Sequence, residues 1–79
     1  MPTTLKINLH NNMNGIYWFT VTDNVSGNKI LDDNLNVDET RGANVSSRSD
    51  GRGSITYQAK GYVAHRVDAI NDGDTVDMN

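Results

Sequence analysis

This 79-residue sequence predicts an all-β fold, a single small antiparallel β-sandwich of about seven short strands, and three observations carry that expectation. Turn signals recur at Asp50-Gly51, Lys60-Gly61 and Asp72-Gly73, about a strand and a loop apart, with Val/Ile/Tyr/Thr-rich segments between them. Good helix formers are scarce. Eleven Asn and nine Asp stand against one Glu and three Lys, and Asn and Asp side chains compete for backbone hydrogen bonds. Apolar residues alternate with polar ones at a period of two, and seven strands in so short a chain leave no room for helical crossovers. The sheets should therefore be antiparallel and packed face to face rather than curled into a barrel.

Taken in order, Leu5, Ile7 and Leu9 alternate with Lys6, Asn8 and His10 and read as a half-buried strand. Asn14-Gly15 suits a tight hairpin turn, after which a second strand runs from Ile16 to about Thr22. Asp23 to Asn28 is a loop, Lys29 to Leu31 a short strand, and Asp32-Asp33 a break. Asn34 to Asp38 then alternates again, with Leu35 and Val37 expected to face inward. Glu39 to Asn44 has no apolar period and is expected to be the longest loop. A polar strand over Val45 to Ser49 should form a hairpin with Ser54 to Ala59 through Asp50-Gly51-Arg52-Gly53. Tyr62 to Ile70 is the longest strand expected. Asn71 to Asp74 then turns the chain into Thr75 to Asn79, with Val76 and Met78 inward.

Composition narrows the function classes. A chain this short forms one domain, residues 1–79, and buries only about 60% of the surface its unfolded form exposes, so its core is thin and a deep, dry active site is hard to build. With no Cys, neither a disulfide framework nor a Cys-ligated metal site is possible. The net charge of -3, with seven basic residues scattered along the chain, argues against a nucleic-acid partner. No apolar stretch approaches the roughly 20 residues that span a bilayer, which argues against membrane insertion. Met1-Pro2-Thr3-Thr4 runs straight into the alternating pattern, so the expectation is a soluble chain without an export signal.

Several segments together resemble a known family. These are Val21 to Leu31 with Gly27 in its loop, Leu35-Asn36-Val37, Ser49-Asp50-Gly51-Arg52-Gly53-Ser54-Ile55, Lys60-Gly61-Tyr62 leading to Val67, and Gly73-Asp74-Thr75-Val76-Asp77-Met78. From Phe19 to Asn79 the chain resembles the carboxypeptidase regulatory-like modules. The resemblance implies a seven-stranded sandwich of transthyretin-like topology and an accessory module that supports neighbouring domains, binds partners or joins assemblies; for the fold itself an Ig-like topology is the alternative. It implies no catalytic residue. The related hydrolases of that fold carry a His-rich site and a C-terminal Tyr-Arg-Gly-Ser, whereas this chain ends Asp77-Met78-Asn79.

Few residues stand out as site candidates. If Tyr17, Phe19 and Val21 point inward, then Ile16, Trp18 and Thr20 point outward and offer an interface anchor or a sugar-stacking platform. The alternative is that Trp18 belongs to the core or is covered by a neighbouring segment. Arg41 joins the partner-binding candidates from the Glu39 to Asn44 loop. Asp72, Asp74 and Asp77 are the preferred ligands if the sandwich holds Ca²⁺ among its loops, although their spacing matches no ordered Ca²⁺ loop. His10 and His65 are tied by spacing to no Ser or acid, and read as structural. Arg48, Asp50, Arg52 and Arg66 read as a charged ladder on a solvated face.

The expected function is therefore binding or assembly through a protein partner or a second copy, without catalysis and without an obligatory cofactor. A small carbohydrate- or Ca²⁺-binding module is one alternative. A compact inhibitor acting on a larger enzyme through the Glu39 to Asn44 loop is another.

Overall fold

Alternating side chains give this chain seven strands, seen in a computed structural model that describes residues 3–79. They are β1 (Thr4–Asn11), β2 (Tyr17–Asp23), β3 (Lys29–Leu35), β4 (Thr40–Ser46), β5 (Gly53–Ala59), β6 (His65–Ile70) and β7 (Thr75–Met78). No helix forms among the described residues, and none is long and apolar enough to cross a membrane. Met1 and Pro2, part of the opening expected to lack a signal core, lie outside the described residues.

Two sheets pack face to face as a β-sandwich. One has the order β4-β1-β7 and the other β3-β2-β5-β6. All pairs are antiparallel except β1 with β7, which run parallel with Leu9 opposite Val76. The inward positions are the apolar halves of the alternating patterns: Leu5, Ile7 and Leu9 on β1, Phe19 and Val21 on β2, Ile55, Tyr57 and Ala59 on β5, and Val76 and Met78 on β7. At roughly 25 cal/mol per Å² of apolar area, this shared interior is what holds the two sheets together.

Connections differ from the expected hairpins. Only β2–β3 and β5–β6 are joined as hairpins within a sheet; the chain crosses from one sheet to the other between β1 and β2, β3 and β4, β4 and β5, and β6 and β7. The Asn14-Gly15 and Asp50-Gly51 segments thus turn the chain without pairing the strands beside them. At the β4–β5 crossing Arg48 N donates to Arg52 O at 2.7 Å and Gly51 adopts a φ of 82°, the left-handed region that glycine tolerates. A Cβ on Gly53 would lie 3.1 Å from Val45 Cγ2, so the chain enters β5 pressed against the opposite sheet.

Four further expectations are corrected. Asp32-Asp33 does not interrupt a strand but lies inside β3, and Glu39 to Asn44 is not a long loop, because Thr40 onward forms β4. The reason is visible in the register. Asp33 stands opposite the buried Phe19 and Arg41 opposite the buried Leu9, so both occupy inward positions on edge strands, where Arg41 Nη1 meets Asp33 Oδ2 at 3.4 Å. Inward-pointing charge on an edge strand deters pairing with another chain while satisfying itself within the fold. Val37 is exposed, since the chain has left β3 for a turn in which Glu39 N donates to Asn36 O and Asp38 takes a φ of 61°. Tyr62 to Ala64 likewise belong to the β5–β6 turn, not to the strand. Ala69 at φ 58° then shifts the alternation, so that Ile70 is the buried residue at the end of β6.

Two fully buried polar side chains pin the crossings. Asn11 Nδ2 donates to the carbonyls of Gly15, Leu35 and Asn36 at 2.9, 3.1 and 3.0 Å, while its Oδ1 accepts from Met13 N at 2.9 Å. At the far end of β2, Asp23 Oδ1 accepts from Val25 N, and its Oδ2 accepts from Ser26 Oγ and, across to the other sheet, from Ser46 N at 2.8 Å. Burial pushes the Asp23 carboxyl up, but the amides of Ser46 and Val25 and the Ser26 hydroxyl outweigh it and hold the group below the ordinary aspartate range.

Replacing Asn11 by Ala should cost about 1–3 kcal/mol, the usual penalty for stranding buried partners. Asn11→Asp should cost more at neutral pH, because a carboxylate would face carbonyl oxygens; urea denaturation that ranks the two in the opposite order refutes the assignment. For Asp23 the sign follows from its lowered value. Its contribution is fully present above the unfolded-state value and is lost as pH falls through the folded one. Asp23→Asn should therefore lower stability at pH 7 and flatten the acid limb of the stability curve, and parallel acid limbs for the two proteins would contradict it.

Candidate functional site

The outer face of the four-stranded sheet is built from the residues that alternate with the core. Because Phe19 and Val21 point in, Trp18, Thr20 and Thr22 point out along β2. Register then sets their neighbours: Asn34 and Asp32 on β3 stand opposite Trp18 and Thr20, while Gln58 and Thr56 on β5 stand opposite Thr20 and Thr22. Lys60 follows from the end of β5, its N–H donating to Trp18 O at 2.9 Å.

Trp18 is 39% exposed and its indole is held in place: Nε1 donates to Asp32 Oδ1 at 2.7 Å, reaching diagonally along the sheet. That N–H is the largest influence on Asp32, which is held below the ordinary aspartate range with further help from Lys29 at 3.7 Å. On the β5 side an open, shallow cleft of about 480 Å³ is lined by Trp18, Thr20, Gln58, Lys60 and Gly61. Gln58 Nε2 donates to Tyr62 O at 2.8 Å, so the turn after β5 braces one side of the cleft. Gly61, at φ 90°, is the left-handed residue that makes this turn possible.

The structure thus brings Trp18 and Thr20 together and leaves Ile16, 63% exposed, just before them on the chain. Arg41 is placed elsewhere, in the other sheet, where its guanidinium engages Glu39 at 3.0 Å and Asp33 at 3.4 Å. Gln58 and Lys60 were not singled out from the sequence. Only strand register puts them beside Trp18, forty residues earlier in the chain, and no local pattern encodes that pairing.

The three carboxylates named for Ca²⁺ have separate tasks. Asp72 Oδ1 accepts from Lys6 N, Asp74 Oδ2 accepts from Asn71 N, and Asp77 Oδ1 meets His10 Nδ1 at 2.9 Å. Among the described residues no three His, Cys, Asp or Glu side chains gather as a metal site. His10 also lies 3.4 Å from Asp38, and His65 stacks on Tyr57 with centroids 5.2 Å apart. Of the expected charged ladder only Arg48 and Arg66 come together, and they do so at Asp68, which accepts from Ser54 Oγ at 2.6 Å and from Arg66 Nε at 3.1 Å, with Arg48 at 3.8 Å; Asp50 instead accepts from Arg52 N at 3.0 Å within its own turn.

Fold and site together define a small β-sandwich that carries one aromatic-and-polar cleft on the open face of its larger sheet. No family model, curated protein or solved structure matches the chain.

The Trp18–Asp32 bond has a spectroscopic consequence. As the sequence holds a single Trp, the indole N–H resonance is unique. Its acid titration should show a midpoint below the ordinary aspartate value, and Asp32→Ala should abolish the step; a midpoint at or above that value would show that the bond does not form.

Proposed function

We propose that this protein is a non-catalytic binding module that receives its ligand on the outer face of the four-stranded sheet, at Trp18. One observation carries the reading. A large aromatic side chain is fixed by its bond to Asp32 beside an open cleft, on the sheet face that the core does not use. Large aromatics that remain partly exposed on rigid elements are enriched where proteins bind other molecules.

Other features favour binding over chemistry. Each histidine is engaged with other groups, His10 with Asp77 and Asp38 and His65 stacked on Tyr57, and neither hydrogen-bonds a Ser or Thr hydroxyl among the described residues. Ser54, a buried serine, donates its hydroxyl to Asp68 and accepts from Asn24 Nδ2, with no histidine among its hydrogen-bond partners. The acidic balance, with a pI near 5.0, disfavours nucleic acid. The resemblance to carboxypeptidase regulatory-like modules agrees with an accessory, partner-engaging role.

The test compares the immobilised wild type with Trp18→Ala against an extract of the source cells, separated into protein and polysaccharide fractions. The wild type should retain at least one component that the variant retains about tenfold less, a difference of about 1.4 kcal/mol. Equal retention by both proteins, or no retention by a folded wild type, would remove the reading.

A further inference from the structure

We infer that the ligand of the Trp18 cleft is a carbohydrate, with one pyranose ring stacked on the indole and its hydroxyls bonded to Gln58 and Lys60. The inference rests on the binding reading above and adds the chemical class of the ligand. A pyranose has two unlike surfaces: a C–H face that is apolar and an equatorial rim of hydroxyls that both donate and accept. Its receptor therefore needs a flat aromatic wall with polar groups at the wall's border.

The cleft supplies those parts. The bond from Nε1 to Asp32 fixes the edge of the indole and so the plane of its face. Gln58 spends its Nε2 on Tyr62 O, which orients the amide and leaves Oε1 as an acceptor without a protein partner among the described residues. Lys60 forms no salt bridge among the described residues, so its ammonium keeps its donors for a ligand. Thr20, opposite Gln58, also lines the cleft, and its hydroxyl supports the Asp32 carboxylate that holds the indole. The volume of about 480 Å³ lies within the usual range for small-ligand sites, and the open shape leaves both ends of an oligosaccharide free to continue.

The side chains immediately around Trp18, namely Thr20, Asp32, Asn34, Gln58 and Lys60, are polar and match the hydroxyl rim of a sugar; the exposed Ile16, Tyr62 and Val63 at the same end of the sheet make a protein partner the competing outcome of the test. A phosphate-rich ligand would call for clustered arginines or lysines, and the cleft has one lysine.

The experiment is an NMR titration of the ¹⁵N-labelled protein with cello-, malto- and chito-oligosaccharides and with oligogalacturonate. At least one should shift the indole N–H and the amides of Thr20, Gln58, Lys60 and Gly61 saturably, while the amides of β1, β4 and β7 stay in place. Trp18→Ala should weaken that binding about tenfold or more. Gln58→Ala and Lys60→Ala, exposed positions that leave the fold intact, should each weaken it several-fold. If oligogalacturonate is the binder, the Lys60→Ala loss should shrink at high salt, whereas for a neutral sugar it should not. The inference is overturned if no sugar shifts these resonances at about 10 mM, a concentration that detects even very weak sites, or if the shifts map to another face. Trp18-dependent retention of a protein alone would defeat the sugar assignment and leave the binding reading standing; retention indifferent to Trp18 would defeat both.

Discussion

The rest of the structure depends on holding two sheets in register when four of the six connections run between them. The apolar interior supplies attraction but little direction, and a chain of this length has little interior to spare. Direction comes from Asn11 and Asp23, buried side chains at opposite ends of β2's span. Asn11 ties the end of β1 to the loop entering β2 and to the turn leaving β3. Asp23 ties the loop leaving β2 to the end of β4. Each satisfies backbone groups that a crossing chain would otherwise bury unpaired, and that penalty is larger than the gain from an average hydrogen bond.

Once β2 is fixed at both ends, the placement of Trp18 follows. A strand has only two faces, and a slip of one residue would bury Trp18 and Thr20 while exposing Phe19 and Val21. The core rejects that exchange, because Phe19 and Val21 are completely buried and both of β2's neighbours are set by the same register. The cleft is thus a by-product of core packing: whatever places Val21 opposite Tyr57 also places Thr20 opposite Gln58, and Lys60 beside Trp18.

Legibility in the sequence followed this division. The alternation of Leu5, Ile7 and Leu9, of Phe19 and Val21, and of Val76 and Met78 was readable because period two is a local signal with one physical cause. The connections were not, because Asn14-Gly15 and Asp50-Gly51 encode a reversal of the chain and carry no information on whether the strands beyond it pair. Asp33 and Arg41 misled for another reason: a charge at an inward position reads as a break, and only its partner on the opposite edge strand explains it. Asp23 reads only as the start of a loop and Asn11 carries no signal of its own, since burial of a polar group becomes credible only when its partners, up to 25 residues away, are known. Of the site, Trp18 could be named but not placed, and Gln58 and Lys60 could not be named at all.

The Trp18–Asp32 bond finally bears on how well such a site can work. An aromatic on an open sheet face would ordinarily lose rotamer freedom on binding, a cost of about 0.5–1.5 kcal/mol for each immobilised side chain. Here the indole is anchored before any ligand arrives, by an acceptor whose own carboxylate form that N–H stabilises. Gln58 is restrained in the same way by Tyr62 O. The two walls of the cleft are therefore set by interactions inside the fold, and a shallow site that encloses little of its ligand gains most from that kind of preorganisation. Lys60, by contrast, forms no ion pair among the described residues, so of the cleft's long side chains it is the one that no interaction inside the fold restrains.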